Sequence, residues 1–326
     1  MKRRWIGLFG LVALALTTAT GAQPNGVAYP LRPIRMVVPW PPGQATDVTA
    51  RLIAQKLSEA LGQPVVLDNR PGAGGLIGTD IAAKAAPDGY TLLAASSGPI
   101  SISPLVQKTT FNVERDFAPV AKLVISPYVL VTNTAFPATN AREFIALLKA
   151  SPGKYAFGSS GTGASAHLIT EWFNNSAGVQ ATHVPYKGSA AAITDVISGQ
   201  VAYAFETAAA TMSLVRAGRL KAYGVSMARS SAITPGIEPL TRAANLSGFD
   251  VSGWIGLMVA SATPQSIVNR LSVSVDTIMR SAEAREKLTA LDVDIDYRPP
   301  AEFARDLKFQ HVRFSEIIKK GNIRLD

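Results

Sequence analysis

The chain has 326 residues, 47% of them hydrophobic and 17% charged, with a formal net charge of +9. That balance excludes a disordered polymer and allows a sizeable core, more naturally two domains than one. The absence of cysteine excludes disulfides, thiolate metal sites and a lipoprotein anchor, and the basic surplus forms no Lys/Arg stripe interleaved with aromatics, so nucleic acid is not an expected partner.

Lys2, Arg3 and Arg4 precede an apolar run from Trp5 to Leu16, and small residues follow. This is the layout of a secretory signal over residues 1–22, with cleavage expected after Ala22. The run is shorter than the ~20 residues a spanning helix needs, which disfavours the alternative of an uncleaved anchor. Arg3-Arg4 leaves the twin-arginine route open beside Sec export. A periplasmic protein is expected.

From Ile34 onward short β-branched runs alternate with helical patterns. IRMVVP (34–39) reads as a buried strand, and 46–61 as an amphipathic helix with Val48, Leu52, Ile53 and Leu57 on one face. Strand 64–69, helix 76–86 and strand 90–96 follow, a βαβαβ order that implies a mainly parallel sheet with helices on both faces. A second series starts after Ala121: strand 128–133, helix 140–150 capped by Thr139 or Asn140, strand 154–159 and helix 164–178. THVPY, SAAAITDVISG, QVAYAFE, a further helix and LKAYGVSM continue it. After strand 252–260, Thr263 is the expected cap of a helix with Pro264 at its first position. A short strand at 292–298 and a helix from about Pro300 to Lys320 end the series. The predicted organisation is one lobe from 30–125 and 250–310, a second from 126–249, and a C-terminal helix and tail at 311–326. Two lobes with strand-rich links suggest a hinged pair closing on a cleft.

Three glycine-rich strand-to-helix turns stand out: WPPGQATD (40–47), NRPGAGGLIG (69–78) and FGSSGTGAS (157–165). Such turns lie at strand carboxyl ends, where ligands bind in open α/β sheets, and each opens a helix whose unpaired amides attract anions. Ser159, Ser160 and Thr162 add hydroxyls, so the third turn is expected to hold a carboxylate or similar small anion. Gly72, Gly74 and Gly75 serve either a tight turn or a binding role. Thr46 and Asp47 are the expected caps of the first helix. His167 either orients the third loop or donates to an anion, with a half-buried structural histidine as the alternative. Tyr186 and Lys187 precede another helix start, and Lys187 either contacts ligand charge or caps a neighbouring helix. Glu206 closes a strand and so belongs near the cleft, where it would repel an acidic group but pair with an amino group. Trp254 either walls the pocket or belongs to the core.

Other chemistries find little support. PGAGGLIG misses the dinucleotide fingerprint, and no P-loop, GxSxG elbow or HExxH motif occurs, so no cofactor or metal is expected. Ser160 with His167 is the only local nucleophile–base candidate for a secreted hydrolase, and no third group orients them.

The turns, together with YPLRPIRMVVPWPPG (29–43), LGQPVVLDNRPGAGG (61–75), APDGYTLL (86–93), HVPYKGS (183–189) and WIGLM (254–258), resemble the Bug (TctC-like) family over essentially the whole mature chain. That family comprises extracytoplasmic receptors of tripartite tricarboxylate transport systems. The resemblance implies a two-lobed Venus-flytrap fold of type II, no catalysis, a monomer, and delivery of a small carboxylate to membrane permease subunits. A receptor that signals to a membrane sensor kinase is the alternative. Family ligands include di- and tricarboxylates, acidic amino acids and aromatic carboxylates. It also implies that the turns at 42–46 and 159–162 embrace a ligand carboxylate, partly through water, which assigns that role to Gly43, Ala45, Ser159, Gly161 and Thr162. Ser97 matches a further pocket position. Gln44 stands where the family usually has glycine, Leu76 where it commonly has asparagine, and Glu206 where it usually has aspartate. Our hypothesis is that Glu206 disfavours compact polycarboxylates and permits a ligand with a cationic or hydroxyl end; citrate binding to Glu206→Gln tests it.

Overall fold

A computed structural model describes residues 29–320 and Ile323, so the expected signal segment and its cleavage point after Ala22 lie outside the described residues. The first lobe opens with β1 (Ile34–Val38), α1 (Ala45–Leu61), β2 (Val65–Asn69), α2 (Leu76–Ala83) and β3 (Thr91–Ser96), then the single turns α3 (Ser103–Val106) and α4 (Val113–Asp116). The chain crosses on β4 (Phe117–Thr132) to α5 (Ala141–Ala150), β5 (Ala156–Ser159), α6 (Ser165–Ala177), β6 (Thr182–Pro185), α7 (Ser189–Ser198) and β7 (Tyr203–Thr207). Next come α8 (Ala208–Arg216), β8 (Lys221–Val225) and the turn α9 (Leu240–Ala243). It returns through β9 (Ser252–Ala260), α10 (Gln265–Arg280), α11 (Ala282–Ala290), β10 (Asp294–Arg298) and α12 (Pro300–Lys320).

One ten-stranded sheet runs through both lobes in the order β2-β1-β3-β9-β4-β7-β5-β6, with β8 and β10 also pairing to β4. A parallel trio forms each end, β2-β1-β3 and β6-β5-β7. The strands between them are antiparallel. β4 is the shared piece: its first half pairs with β9 and β10, its second with β7 and β8. The sequence pattern predicted only its second half, because Pro119 and Pro127 break the alternation; bulges between Pro119 and Ala121 and between Lys122 and Val124 absorb the irregularity.

Strand periodicity explains why the runs are so apolar. In the first lobe Met36, Leu92 and Leu257 meet α1 and α10 through Ile53, Leu57 and Leu271, while Val37, Leu93 and Met258 face Phe303 of α12. In the second, Leu130, Phe157 and Phe205 pack on Phe144 and Phe173, while Val129, Val131 and Ala204 pack on Ile193 and Met212. Both faces of the sheet are covered, as parallel sheets require. α12 spans the two cores, with Phe303 in one and Phe314 in the other.

Two caps differ from expectation or decide it. The cap of α10 is Pro264 rather than Thr263: Pro264 is extended at ψ 135°, so the helix begins one residue later, at Gln265. For α5 it is Asn140, whose side chain accepts from the amides of Arg142 and Glu143. Thr139 instead donates to the Glu143 carboxylate, at 2.7 Å.

Candidate ligand-binding site

The turn after β1 is shaped by Asp47, which is buried. Sequence reasoning makes Thr46 and Asp47 the caps of α1, but the cap position falls on Gln44, with Thr46 and Asp47 inside the first turn. From there the Asp47 carboxylate reaches back to the Gly43 amide at 2.9 Å, and it also accepts from Arg51 and from Asn69. Burial alone would raise its pKa, yet these hydrogen bonds hold it below the ordinary carboxylate range. Asp47 and Gly43 are thus committed to the turn itself. Gln44, Ala45 and Thr46 are presented to the cavity beyond it.

Four helices begin at that cavity. Ala45 and Thr46 open α1, Ser165 opens α6, Ser189 opens α7, and Thr207 caps α8, and all of them line it. First-turn amides lack intrahelical partners, and the dipoles of four helices favour negative charge in the space between them. Glu206 occupies part of that space. Its Oε2 accepts from the Ser189 hydroxyl at 2.6 Å, and Oε1 has no partner in hydrogen-bonding geometry among the described residues. Burial pushes the Glu206 carboxyl up to about 7, against the opposing pull of Ser189, the Thr207 amide and Ser160. At neutral pH it is therefore divided between the acid, which donates, and the carboxylate, which accepts.

Polar groups without partners mark the cavity further. Gln44 Nε2, Ser126 Oγ, Thr207 Oγ1 and Trp254 Nε1 are buried and unpartnered among the described residues, as is Glu206 Oε1, and the five residues all line this one space. Buried polar atoms are normally satisfied, so their convergence marks a place where a polar molecule completes the bonding. The cavity is small, about 40 Å³. Trp254 fulfils both expectations for it, since its ring also packs edge-on against Phe303 at 5.1 Å. Ser97 lines the cavity and its hydroxyl lies 2.9 Å from that of Ser165, a hydrogen bond across the lobes.

A second chamber of about 230 Å³ abuts the first, with Trp40 and Ser160 lining both. Gly161, Thr162, Tyr186 and Lys187 fall here rather than in the inner cavity. The Tyr186 hydroxyl donates to Asp195 at 2.6 Å. Ser159 and His167 lie beneath the third loop. Ser159 Oγ is 2.6 Å from His183 Nε2, the His167 and His183 rings stack at 3.6 Å, and His167 Nδ1 accepts from the Gly163 amide. His167 thus orients the loop. It forms no hydrogen bond to Ser160 among the described residues, and its other nitrogen faces Glu171 at 3.8 Å.

Sequence reasoning did not single out Trp40, Ser126, Tyr128, Ser165, Ser189 or Thr207. Ser165, Ser189 and Thr207 carried a usable signal, since each stands at a helix start after a strand. Ser126 and Tyr128 lie inside β4, where no turn announces them.

The family model described as the tripartite tricarboxylate transporter family receptor matches residues 49–323. The chain belongs to this family. Protein BugT of Bordetella pertussis is 37% identical over 286 residues, covering 87% of each chain. Among solved structures, a protein of R. palustris with adipate superposes with a TM-score of 0.88 at 30% identity, covering 91% of this chain and 99% of the other. The periplasmic binding protein BugD gives 0.85 at 29%, again covering 91% and 99%. The chain therefore has the α/β fold of these two-lobed Bug-type receptors, and its family and neighbours are solute-binding proteins rather than enzymes. No helix among its described residues is long and apolar enough to cross a membrane.

Proposed function

We propose that the mature protein is a monomeric periplasmic receptor, released by cleavage after Ala22, that holds a small organic carboxylate between its lobes and delivers it to a membrane transporter. The observation that carries this reading is the set of five unpartnered buried polar groups on one cavity where four helices begin. Family membership and the adipate held by a structural neighbour support it. The ligand carboxylate accepts from Gln44, from Trp254 and from the first-turn amides of α1, while Glu206 meets the adjoining part of the ligand. Charge-assisted hydrogen bonds of about 1.5–3 kcal/mol each offset the ordering cost and support micromolar affinity.

Native mass spectrometry of protein purified without refolding tests the reading. A retained organic acid is expected, and calorimetry with that acid should lose about tenfold or more in affinity in Gln44→Ala. A protein that retains no acid and gives no heat with any small carboxylate would refute it.

A further inference from the structure

Gln44 and Ser189 line two spaces at once: the inner cavity, and a third chamber of about 400 Å³ that takes in the turn after β1 together with α7 and α8. Gln44 belongs to the first lobe, yet its amide end reaches the main chain of the second. A Cβ on Gly188 would lie 2.9 Å from Gln44 Nε2. Gly188 has a φ of 120°, which favours glycine, so backbone rather than a side chain meets the amide there. The Gln44 side chain is therefore stretched between the lobes where the two spaces adjoin. It is 8% exposed, and Nε2 has no partner in hydrogen-bonding geometry among the described residues. A buried amide is normally satisfied, so this one is left for an occupant. The two spaces differ in chemistry. Unpartnered polar atoms converge on the inner cavity, whereas Pro41, Ile193, Ile197 and Leu214 give the third chamber an apolar wall.

Resting on the receptor reading above, we propose that Gln44 is a specificity-determining partition between these spaces. Its amide donates to the ligand carboxylate, and its bulk closes the inner cavity against the apolar chamber. The receptor then takes slim, unbranched acids and refuses acids that carry a ring or a branch next to the carboxylate, because a well-packed wall yields poorly to added volume. Without the Gln44 side chain, the third chamber receives that ring or branch.

Calorimetry with butanoate, 2,2-dimethylpropanoate and benzoate tests this in wild type, Gln44→Ala and Gln44→Met. The three probes carry the same single charge and differ in shape. Wild type is expected to bind butanoate about tenfold or more tightly than either bulky acid. Gln44→Ala should bring that ratio close to one or invert it, since it loses the donor and gains the room. Gln44→Met keeps the bulk without the donor, so all three acids should weaken and the ratio should remain. A ratio near one in wild type, a ratio that survives Gln44→Ala, or a ratio lost in Gln44→Met refutes the partition while the receptor reading stands. A crystal structure of Gln44→Ala decides the geometry without any probe: the inner cavity and the third chamber should form one continuous space, and a wall still closed by other residues would overturn the proposal. If no acid binds to any of the three proteins and none is retained on purification, the receptor reading fails and the selectivity with it.

Discussion

Glu206 concentrates the chemistry of the site in one carboxyl group. It is fully buried and its pKa is raised from 4.5 to about 7 by burial. Such a group contributes stability that is fully present below 4.5 and is lost as the pH rises through about 7, on the order of 3 kcal/mol in all. Glu206→Gln removes that loss. The melting temperature of the variant relative to wild type should therefore rise between about pH 4 and about pH 8, and an equal difference at both would contradict the raised pKa. Binding reports the same proton. A ligand that offers oxygen acceptors to Glu206 favours its acid form, so affinity should fall as the pH rises through about 7; a ligand with an ammonium there should show the opposite slope. Calorimetry across that range settles which end of the ligand faces inward. It also refines the hypothesis that Glu206 disfavours polycarboxylates, since the acid form can donate to one.

Among the elements, two glycine turns meet closely across the lobes, at Gly74 and Thr162. A Cβ on Gly74 would lie 2.6 Å from the Thr162 carbonyl across the cleft, at a φ of 62° that alanine tolerates poorly. Gly74→Ala should hold the lobes apart, widening the molecule in small-angle scattering and weakening ligand by about tenfold or more. Unchanged scattering and affinity would show that the turns do not set closure. The third loop is braced from beneath by two stacked histidines. Burial pushes His167 down to about 3, helped by His183, and His183 to about 4, so both are neutral where His167 accepts from Gly163. Their contribution is present above 6.5 and is lost as the pH falls toward those values. The small-residue string at 157–165 announced a strand-to-helix loop, and Ser160, Gly161 and Thr162 of it line the cavities. Nothing in it announced His183, which arrives from β6, a separate strand.

At the scale of the molecule, β4 and α12 join two cores that would otherwise be separate. Lys122 of β4, which is buried, pairs with Asp296 of β10 at 2.8 Å and Asp306 of α12 at 2.7 Å. Lys122→Met leaves two neighbouring carboxylates without their cation and should cost about 3 kcal/mol, read from denaturant unfolding; a change below about 1 kcal/mol would mean that Arg298 compensates. The alternation of strands and helices, the glycine-rich turns at strand ends and the family were all legible in the residues, because these depend on local periodicity, turn chemistry and motif order. Local order also placed Glu206 at a strand end near the cleft. What the chain could not reveal by itself was the continuity of one sheet through both lobes, hidden by Pro119 and Pro127 inside β4. Nor could it reveal that the helix starts of α1, α6, α7 and α8 meet at one small space. Those features depend on contacts between segments distant in the chain, such as β4 with β9, where packing rather than local preference fixes which polar atoms are left unpartnered.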